Sequence, residues 1–145
     1  MQTPIKEFLK GNKVASICFV DKEGNPYCVN CFYFFDDENG ILVFKSSFGT
    51  KHDAFIMTNA KVAGTILPDS LDALKIKGIQ FSGKIMDKSL PDTFKLSSNY
   101  TKKYPLSLTL PGYIWAIHLE HVKFTNNTLG FGNKTVWDRN SGVKG

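Results

Sequence analysis

The sequence predicts a mainly β protein, a small β-barrel of about six strands with a few helices. Runs rich in β-branched and aromatic residues recur along most of the chain, and short clusters of Gly, Asn, Asp and Pro separate them. These runs do not alternate regularly with helical patterns, which argues against a parallel βαβ sheet. The 145 residues contain no linker, repeat or low-complexity segment, so we expect one domain.

The first elements are a short helix and a three-stranded meander. The helix is expected from Pro4 to Lys10, with Thr3 as its cap and Gly11 at its end. The second strand has almost no polar alternation, so we expect both of its faces to be covered. The turns DKEGNP and DDENG separate the three strands KVASICFV, YCVNCFYFF and ILVFKS.

The rest of the chain mixes two helices with three more strands. One helix is predicted at TKHDAFIMTN, where Thr50 can act as the cap, and another at PDTFKLSSNYTKKY, where Pro91 suits the first turn. The strands expected here are KVAGTIL, KIKGIQFSGKIM and YIWAIHLEHVKFT. We therefore divide the domain into an N-terminal helix (1–12), a barrel with helical insertions (13–125) and a C-terminal tail (126–145).

Composition predicts a soluble protein of the cytoplasm. Hydrophobic residues make up 42% of the chain and charged residues 21%, a balance typical of globular domains. No apolar run approaches the roughly 20 residues that span a bilayer, and the N-terminus lacks the apolar core of a signal peptide. The net charge is +5, but the lysines are dispersed along the chain, so no nucleic-acid partner is expected.

The three cysteines are expected to be reduced, because an odd number fits a reducing compartment better than a disulfide framework. Cys28 and Cys31 are three residues apart on one strand and point to opposite faces, so they cannot easily share a metal ion. Cys18 can face Cys28 across a hairpin, but we expect this pair to pack as small hydrophobic groups.

The segment from Leu42 to Phe55, LVFKSSFGTKHDAF, contains the first candidate site. Side chains with hydroxyl groups and positive charge are concentrated between the end of the third strand and the start of the predicted helix. Backbone N–H groups at the start of a helix favour an anion such as phosphate. The spacing does not match the phosphate loop of nucleoside triphosphatases. Ordinary turn and cap roles explain the same residues, so both interpretations stay open. The candidates are Lys45, Ser46, Ser47, Thr50, Lys51 and His52.

Two amide side chains interrupt otherwise apolar strands. Asn30 lies in the second strand, where a buried amide needs partners that either the fold or a ligand can supply. Gln80 lies in the fifth strand, where a sheet edge or an interface is the alternative. His118 and His121 are expected to diverge on a strand, and no spacing indicates a metal site or a catalytic triad. No catalytic residue is therefore predicted.

Four motifs follow one another between Val14 and about Met86: LVFKSS, GTKHDAF, NAKVAGTI and QFSGKI. Their order resembles that of the pyridoxamine 5′-phosphate oxidase-like FMN-binding split barrels. The end of the chain, WAIHLEHVKFTNNTLGFGNKTVWDRNSG, resembles that of the small bacterial YhbP-like proteins of this superfamily, and this resemblance covers nearly the whole chain. The resemblance implies a six-stranded split barrel that forms a homodimer and holds FMN in clefts at the subunit interface.

The resemblance also implies which residues contact FMN. The flavin ring is expected along the second strand, and a polar residue of the partner's fifth strand is expected nearby, either Gln80 or, with a shifted register, Gly78. Ring contacts are expected from Asn30, Cys31 and Phe32, and phosphate contacts from Lys45, Ser46, Ser47, Thr50, Lys51 and His52.

The chain also departs from the oxidases that it resembles. Those enzymes hold phosphate with an arginine–lysine pair, whereas Lys51–His52 stands here and lysine offers a point charge in place of a bidentate fork. Their pyridoxal-binding arginine and histidine are not evident in this tail, and Trp137 and Arg139 do not align with those roles. FMN binding is therefore expected, but oxidation of pyridoxamine phosphate is not.

The leading hypothesis is an FMN-binding flavoprotein, an oxidoreductase whose substrate the sequence does not name and whose redox chemistry comes from the flavin. The alternative is a haem-binding or haem-related split barrel with His52, His118 or His121 as the axial ligand. A second alternative is a non-enzymatic binding protein, for example for single-stranded nucleic acid, which the dispersed lysines disfavour.

Overall fold

The computed structural model describes residues 1–46, 60–86, 92–130 and 132–141. The helix predicted at 50–59 lies outside these residues. The helices described are α1 (Thr3–Gly11) and α2 (Asp92–Lys103), with short 3₁₀ helices at Pro105–Thr109 and Asn127–Leu129. The strands are β1 (Val14–Val20), β2 (Pro26–Asp36), β3 (Ile41–Ser46), β4 (Lys61–Ile66), β5 (Lys77–Ile85), β6 (Tyr113–Asn126) and β7 (Lys134–Asp138).

An antiparallel barrel of six strands forms the body of the protein. The strands lie in the order β3-β2-β1-β4-β5-β6-β7, and an additional pairing of β3 with β6 closes the first six of them into a barrel. One edge of the long strand β6 pairs with β3 in its first half and with β7 in its second half. The other edge of β6 pairs with β5. The predicted six-stranded, mainly β barrel is confirmed, whereas the homodimer stays a prediction.

Alternating side chains explain why the strands close around one core. In β1, Ala15, Ile17 and Phe19 are buried, and the residues between them are more exposed. Strand β3 is buried on both faces, because Leu42 and Phe44 point into the barrel while the other face packs against α2. Within the described residues, no helix is long and apolar enough to cross a membrane.

The N-terminal helix packs on the barrel core. Ile5 and Leu9, one turn apart on α1, are fully buried in that core. The hydroxyl of Tyr33 donates a hydrogen bond to the carbonyl of Leu9 at 2.6 Å, which satisfies an acceptor at the helix end. Thr3 was expected to cap α1, but this expectation is wrong: Thr3 lies inside the helix and no side chain caps its start.

The C-terminal tail contains a strand that the sequence analysis did not expect. Strand β7 pairs with β6, and Arg139 holds the segment that follows it. The guanidinium of Arg139 donates hydrogen bonds to the carbonyls of Leu119, Asn39 and Gly40 at 2.6–2.9 Å and lies over the ring of Trp137. Trp137 and Arg139 therefore fasten the tail to the β2–β3 turn.

Cys18 and Cys28 form a disulfide across the β1–β2 hairpin, and Cys31 is free. The expected facing of Cys18 and Cys28 is correct, but the expectation that they only pack together is wrong. The turn between β1 and β2 sets a register that places the two residues directly opposite each other. Directly paired side chains lie on the same face of a sheet, so the two sulfur atoms meet.

Gly64 on β4 allows a close approach inside the barrel. A Cβ atom at this position would clash with the carbonyl oxygen of Ser16 and with the ring of Phe81, which lies across from Gly64 on β5. The Phe81 side chain therefore occupies the space that a side chain on residue 64 would need.

We predict that Gly64→Ala lowers the free energy of unfolding by about 1–3 kcal/mol, the usual cost of overpacking a core. Urea denaturation followed by circular dichroism measures this change. Gly11→Ala is the matched control, because a Cβ atom there meets nothing within 4 Å. Equal stability of the two variants would contradict the close approach at Gly64.

Candidate functional site

The barrel opens where β2 and β3 separate. Their pairing ends at Tyr33 opposite Phe44, although both strands continue. Beyond that point β3 pairs with β6 through Lys45 and Ser46, while β2 pairs with β1 alone. Among the described residues, no strand therefore lies on the β3 side of the 29–32 segment of β2.

A cleft of about 600 Å³ occupies this opening. Residues 29–32 of β2 and the end of β3 form one side, and the end of α2 with the following 3₁₀ helix forms the other. The volume lies within the range of about 300–1,000 Å³ that holds organic ligands. The polar and aromatic lining residues are Asn30, Cys31, Phe32, Lys45, Ser46, Tyr100, Lys103, Tyr104 and Ser107.

The structure brings together five of the ten residues that the sequence analysis assigned to a cofactor. The five that line the cleft are Asn30, Cys31, Phe32, Lys45 and Ser46. Gln80 does not line it. The other four, Ser47, Thr50, Lys51 and His52, lie outside the described residues. The cleft thus joins the two segments, around Asn30 and after Phe44, that were separate candidates in the sequence.

Asn30 is exposed in this chain, which corrects the expectation of a buried amide. The hydroxyl of Ser16 donates a hydrogen bond to Asn30 Oδ1 at 2.6 Å. Phe32 on the same face is 55% exposed, so the prediction that both faces of β2 are covered is wrong for the chain by itself. The reason is that β2 follows the barrel wall, and the described chain covers only its inner face there.

Gln80 lies on this same outer face, away from the cleft. It is exposed on β5 and pairs with Thr65, which pairs in turn with Ser16 and, through it, with Asn30. The row spans three strand spacings, so Gln80 lies about 14 Å from Asn30. A role for Gln80 at a partner's cleft stays a prediction.

An aromatic wall faces β2 across the cleft. The rings of Phe32 and Tyr104 lie 5.5 Å apart, and those of Tyr104 and Tyr100 lie 5.1 Å apart. Tyr104 Oη donates a hydrogen bond to the carbonyl of Tyr33 at 2.6 Å, which fixes the end of α2 beside the last β2–β3 pair. These ring faces suit a planar aromatic ligand.

Three residues at and just after the end of α2 were not predicted from the sequence as part of the site. Tyr100, Lys103 and Tyr104 are spaced i, i+3 and i+4, the spacing that puts side chains on one helical face. That signal was present in the sequence. Only the fold shows that this face lies against β2.

The cleft carries positive charge from Lys45 and Lys103. The ammonium group of Lys103 lies 5.3 Å from the centre of the Tyr104 ring, and burial lowers its pKa. Burial raises the pKa of Tyr104 to about 12, and it raises that of the Cys31 thiol to about 11. No carboxylate of the described chain lines the cleft. The arrangement favours a ligand with an acidic group and offers no thiolate nucleophile at neutral pH.

Ser107 lines the cleft with a hydroxyl that has no partner among the described residues. The residue is 8% exposed, and within the described residues its Oγ makes no hydrogen bond. Its backbone carbonyl accepts a hydrogen bond from Lys45 Nζ, which ties the 3₁₀ helix to the end of β3. A buried polar atom without a partner costs about 1–3 kcal/mol, so a ligand atom is its natural partner.

The two described histidines lie on β6, outside the cleft. They were expected to diverge, but a register shift in the β5–β6 pairing places His121 opposite Ser82 and His118 opposite Lys84, so both lie on one face. The Nδ1 atom of His121 is 2.5 Å from a carboxylate oxygen of Asp138. Within the described residues, no group of histidines, cysteines and carboxylates suits a metal ion.

Comparisons with known proteins agree with the fold. The protein YhbP of Escherichia coli strain SMS-3-5 is 34% identical over 142 residues, which covers 98% of this chain and 96% of that protein. No protein-family profile matches the chain.

Solved structures show the same barrel. A haem-binding protein from Mycobacterium smegmatis superposes with a TM-score of 0.77 at 12% identity and covers 95% of this chain and 59% of that one. The haem storage protein HutZ from Vibrio cholerae gives a TM-score of 0.64 at 12% identity, with 94% and 93% covered. At these identities the likeness shows the split-barrel fold alone.

We predict that Cys31 reacts slowly with iodoacetamide. Its pKa of about 11, against the ordinary 9.0, leaves about 100-fold less thiolate at pH 8. Mass spectrometry of the oxidised protein, in which Cys31 is the free thiol, follows the reaction. Between pH 8 and pH 10 the rate should keep rising about tenfold per pH unit.

The same chain unfolded in urea is the control, and there the rate should level off above pH 9. A reaction rate that also levels off near pH 9 in the folded protein would contradict the raised pKa of Cys31. A thiol that is shielded but has an ordinary pKa would react slowly, yet its rate would level off at the same pH as in the unfolded chain.

Proposed function

We propose a cofactor-binding function for this chain, which belongs to the UPF0306 family of YhbP proteins. The cofactor that we propose is FMN, held in the cleft between β2 and the α2–3₁₀ segment. The observation that carries the proposal is the buried Ser107 hydroxyl, which has no hydrogen-bond partner among the described residues and lies at the wall of an aromatic, positively charged cleft.

The lining residues fit a flavin at both ends of the cleft. Asn30 Oδ1 accepts a hydrogen bond from the Ser16 hydroxyl, and among the described residues the Asn30 amide NH₂ has no partner, so that group is available for a heterocycle edge. Phe32 and Tyr104 offer faces to a planar ring. Lys45 and Ser46 lie at the phosphate end that the resemblance predicts, next to the segment 47–52.

In this proposal the flavin supplies hydride or electron transfer, and the chain supplies binding and orientation. Lys45 stabilises negative charge, Ser107 and Asn30 orient the bound group by hydrogen bonds, and the aromatic wall excludes water. Cys31 stays a neutral thiol at pH 7 because burial raises its pKa. The substrate and the electron donor are left open by this arrangement.

Haem is the second candidate, because the names of two structural neighbours describe them as haem proteins. An aromatic cleft with lysines also suits a porphyrin and its propionates. However, His118 and His121 lie outside the cleft, which leaves His52 as the histidine candidate for an axial ligand. Among the described residues the cleft thus offers no histidine for haem, and the haem candidate is supported by these two neighbours and by His52.

We predict that the purified protein takes up about one FMN per chain and shows a flavin spectrum. Ser107→Ala should weaken FMN binding by about 0.5–1.5 kcal/mol, the net value of one hydrogen bond, which is roughly two- to twelvefold in Kd. Fluorescence titration of the apoprotein measures this change. Ser98→Ala, an exposed position on α2, is the matched control and should bind as the wild type does.

Parallel titration with haem separates the two candidates. A Soret band that His52→Ala abolishes, with no uptake of FMN, would replace the flavin proposal with the haem one. A protein that binds neither molecule would contradict both.

We also propose that a second copy of the chain packs on the outer face beside the cleft. Val14, Phe32 and Leu67 are 38%, 55% and 57% exposed there, and a groove that also contains Asn30 and Thr65 joins them. Asn30 and Gln80 share this face, so a twofold contact can bring the partner subunit's Gln80 towards the cleft.

We predict that Leu67→Glu shifts the protein from dimer to monomer, because a carboxylate would be buried at the apolar contact. Sedimentation velocity measures the shift. Leu71→Glu is the control, since Leu71 is 73% exposed and lies outside the groove. A wild-type protein that sediments as a monomer, or a Leu67→Glu variant that stays dimeric, would contradict this interface.

A further inference from the structure

We propose that Cys18 and Cys28 form a reversible redox site that exchanges with low-molecular-weight thiols. The two residues are a direct register pair of the β1–β2 hairpin, with their Cα atoms 4.2 Å apart. They lie on the outer face of the barrel, in the row next to Asn30 and Ser16. This inference does not depend on which cofactor the cleft binds.

The hairpin does not need the disulfide to hold it together. Seven register pairs join β1 to β2, from Val14 opposite Phe32 to Val20 opposite Pro26. The side chain of Asp21 also accepts hydrogen bonds from the backbone N–H groups of Glu23 and Asn25 and so closes the turn. A disulfide between residues only ten apart constrains the unfolded chain less than one that closes a long loop. The paired strands therefore hold the two sulfur atoms opposite each other whether or not they are bonded.

The pair is open to attack from solvent in the single chain, and neither cysteine lines the groove proposed as the dimer contact. Cys28 is exposed and Cys18 is half-buried, so an incoming thiolate reaches Cys28 Sγ first. Lys61 occupies the diagonal position to Cys18 on the neighbouring strand β4, on the same face of the sheet. Exposed disulfides are the labile ones, whereas shielded disulfides resist thiols.

The exchange balances with two equivalents of thiol. A thiolate attacks Cys28 Sγ, the Cys18–Cys28 bond breaks, and Cys18 leaves as a thiolate that takes up a proton. A second thiolate attacks the mixed disulfide, which releases Cys28 and forms a small-molecule disulfide. The protein gains two electrons and two protons, and the two small thiols lose them. Oxidation runs the same steps in reverse, with the small-molecule disulfide as the oxidant.

The test is an equilibrium between the folded protein and glutathione buffers of graded ratio, quenched with iodoacetamide and read by mass spectrometry. In oxidised glutathione one label per chain is expected after denaturation, on Cys31. As reduced glutathione replaces it, Cys18 and Cys28 should become labelled together, to give three labels per chain. The circular dichroism spectrum should stay the same throughout.

Cys31→Ser is the variant for this titration, because it leaves the pair intact and should give zero labels oxidised and two labels reduced. Cys18→Ser and Cys28→Ser should each trap one glutathione on the remaining partner, with Cys28 trapping it faster. Three labels in oxidised glutathione, labelling of the pair only after denaturation, or unfolding on reduction would each overturn the proposal.

Discussion

The architecture depends on how strand β3 divides its pairing between two neighbours. β3 pairs with β2 only as far as Phe44 but with β6 along its whole length. Pairing with β6 closes the barrel, and the early end of the pairing with β2 opens it again on one side. Because backbone groups on a free strand edge need partners or solvent, such an opening is a natural place for a ligand. The pairing of β3 therefore determines both the closure of the barrel and the position of the cleft.

The segment from α2 to the 3₁₀ helix spans the opening and contacts both of its sides. Tyr104 and Lys103 donate hydrogen bonds to the carbonyl of Tyr33 on β2, and the carbonyl of Ser107 accepts one from Lys45 on β3. Burial of Leu96 and Tyr100 against the outer side of β3 holds the helix in place. The cleft thus has one wall of strand and one wall of helix, and each wall supplies one lysine and aromatic or amide groups. Such a lining suits a flat, acidic molecule better than a small neutral one.

The outer face of the barrel combines features that a lone globular chain would not need. Apolar Val14, Phe32 and Leu67 lie beside the polar row of Asn30, Ser16, Thr65 and Gln80, and the Cys18–Cys28 pair occupies the next row. Two residues along a strand separate neighbouring rows, about 7 Å. The proposals therefore place three features on one surface: the edge of the cofactor cleft, the contact with the partner subunit and the redox pair. Each of them uses different side chains. Arg139 fixes the described end of the tail to the β2–β3 turn.

The sequence by itself determined the elements, since the alternation of side chains along a strand and the capping and breaking residues around it are local properties. It indicated the six barrel strands, both described helices and, from Asn30 and Lys45, the two segments that line the cleft. Register and closure decided the rest, because they depend on residues far apart in the chain. The bulge that turns His118 and His121 to one face, the helical wall with Ser107, the strand β7 and the meeting of Cys18 with Cys28 in a disulfide all required knowing which residues lie opposite one another. Local pattern cannot supply that information, because a shift of one residue in pairing moves every side chain to the other face of the sheet.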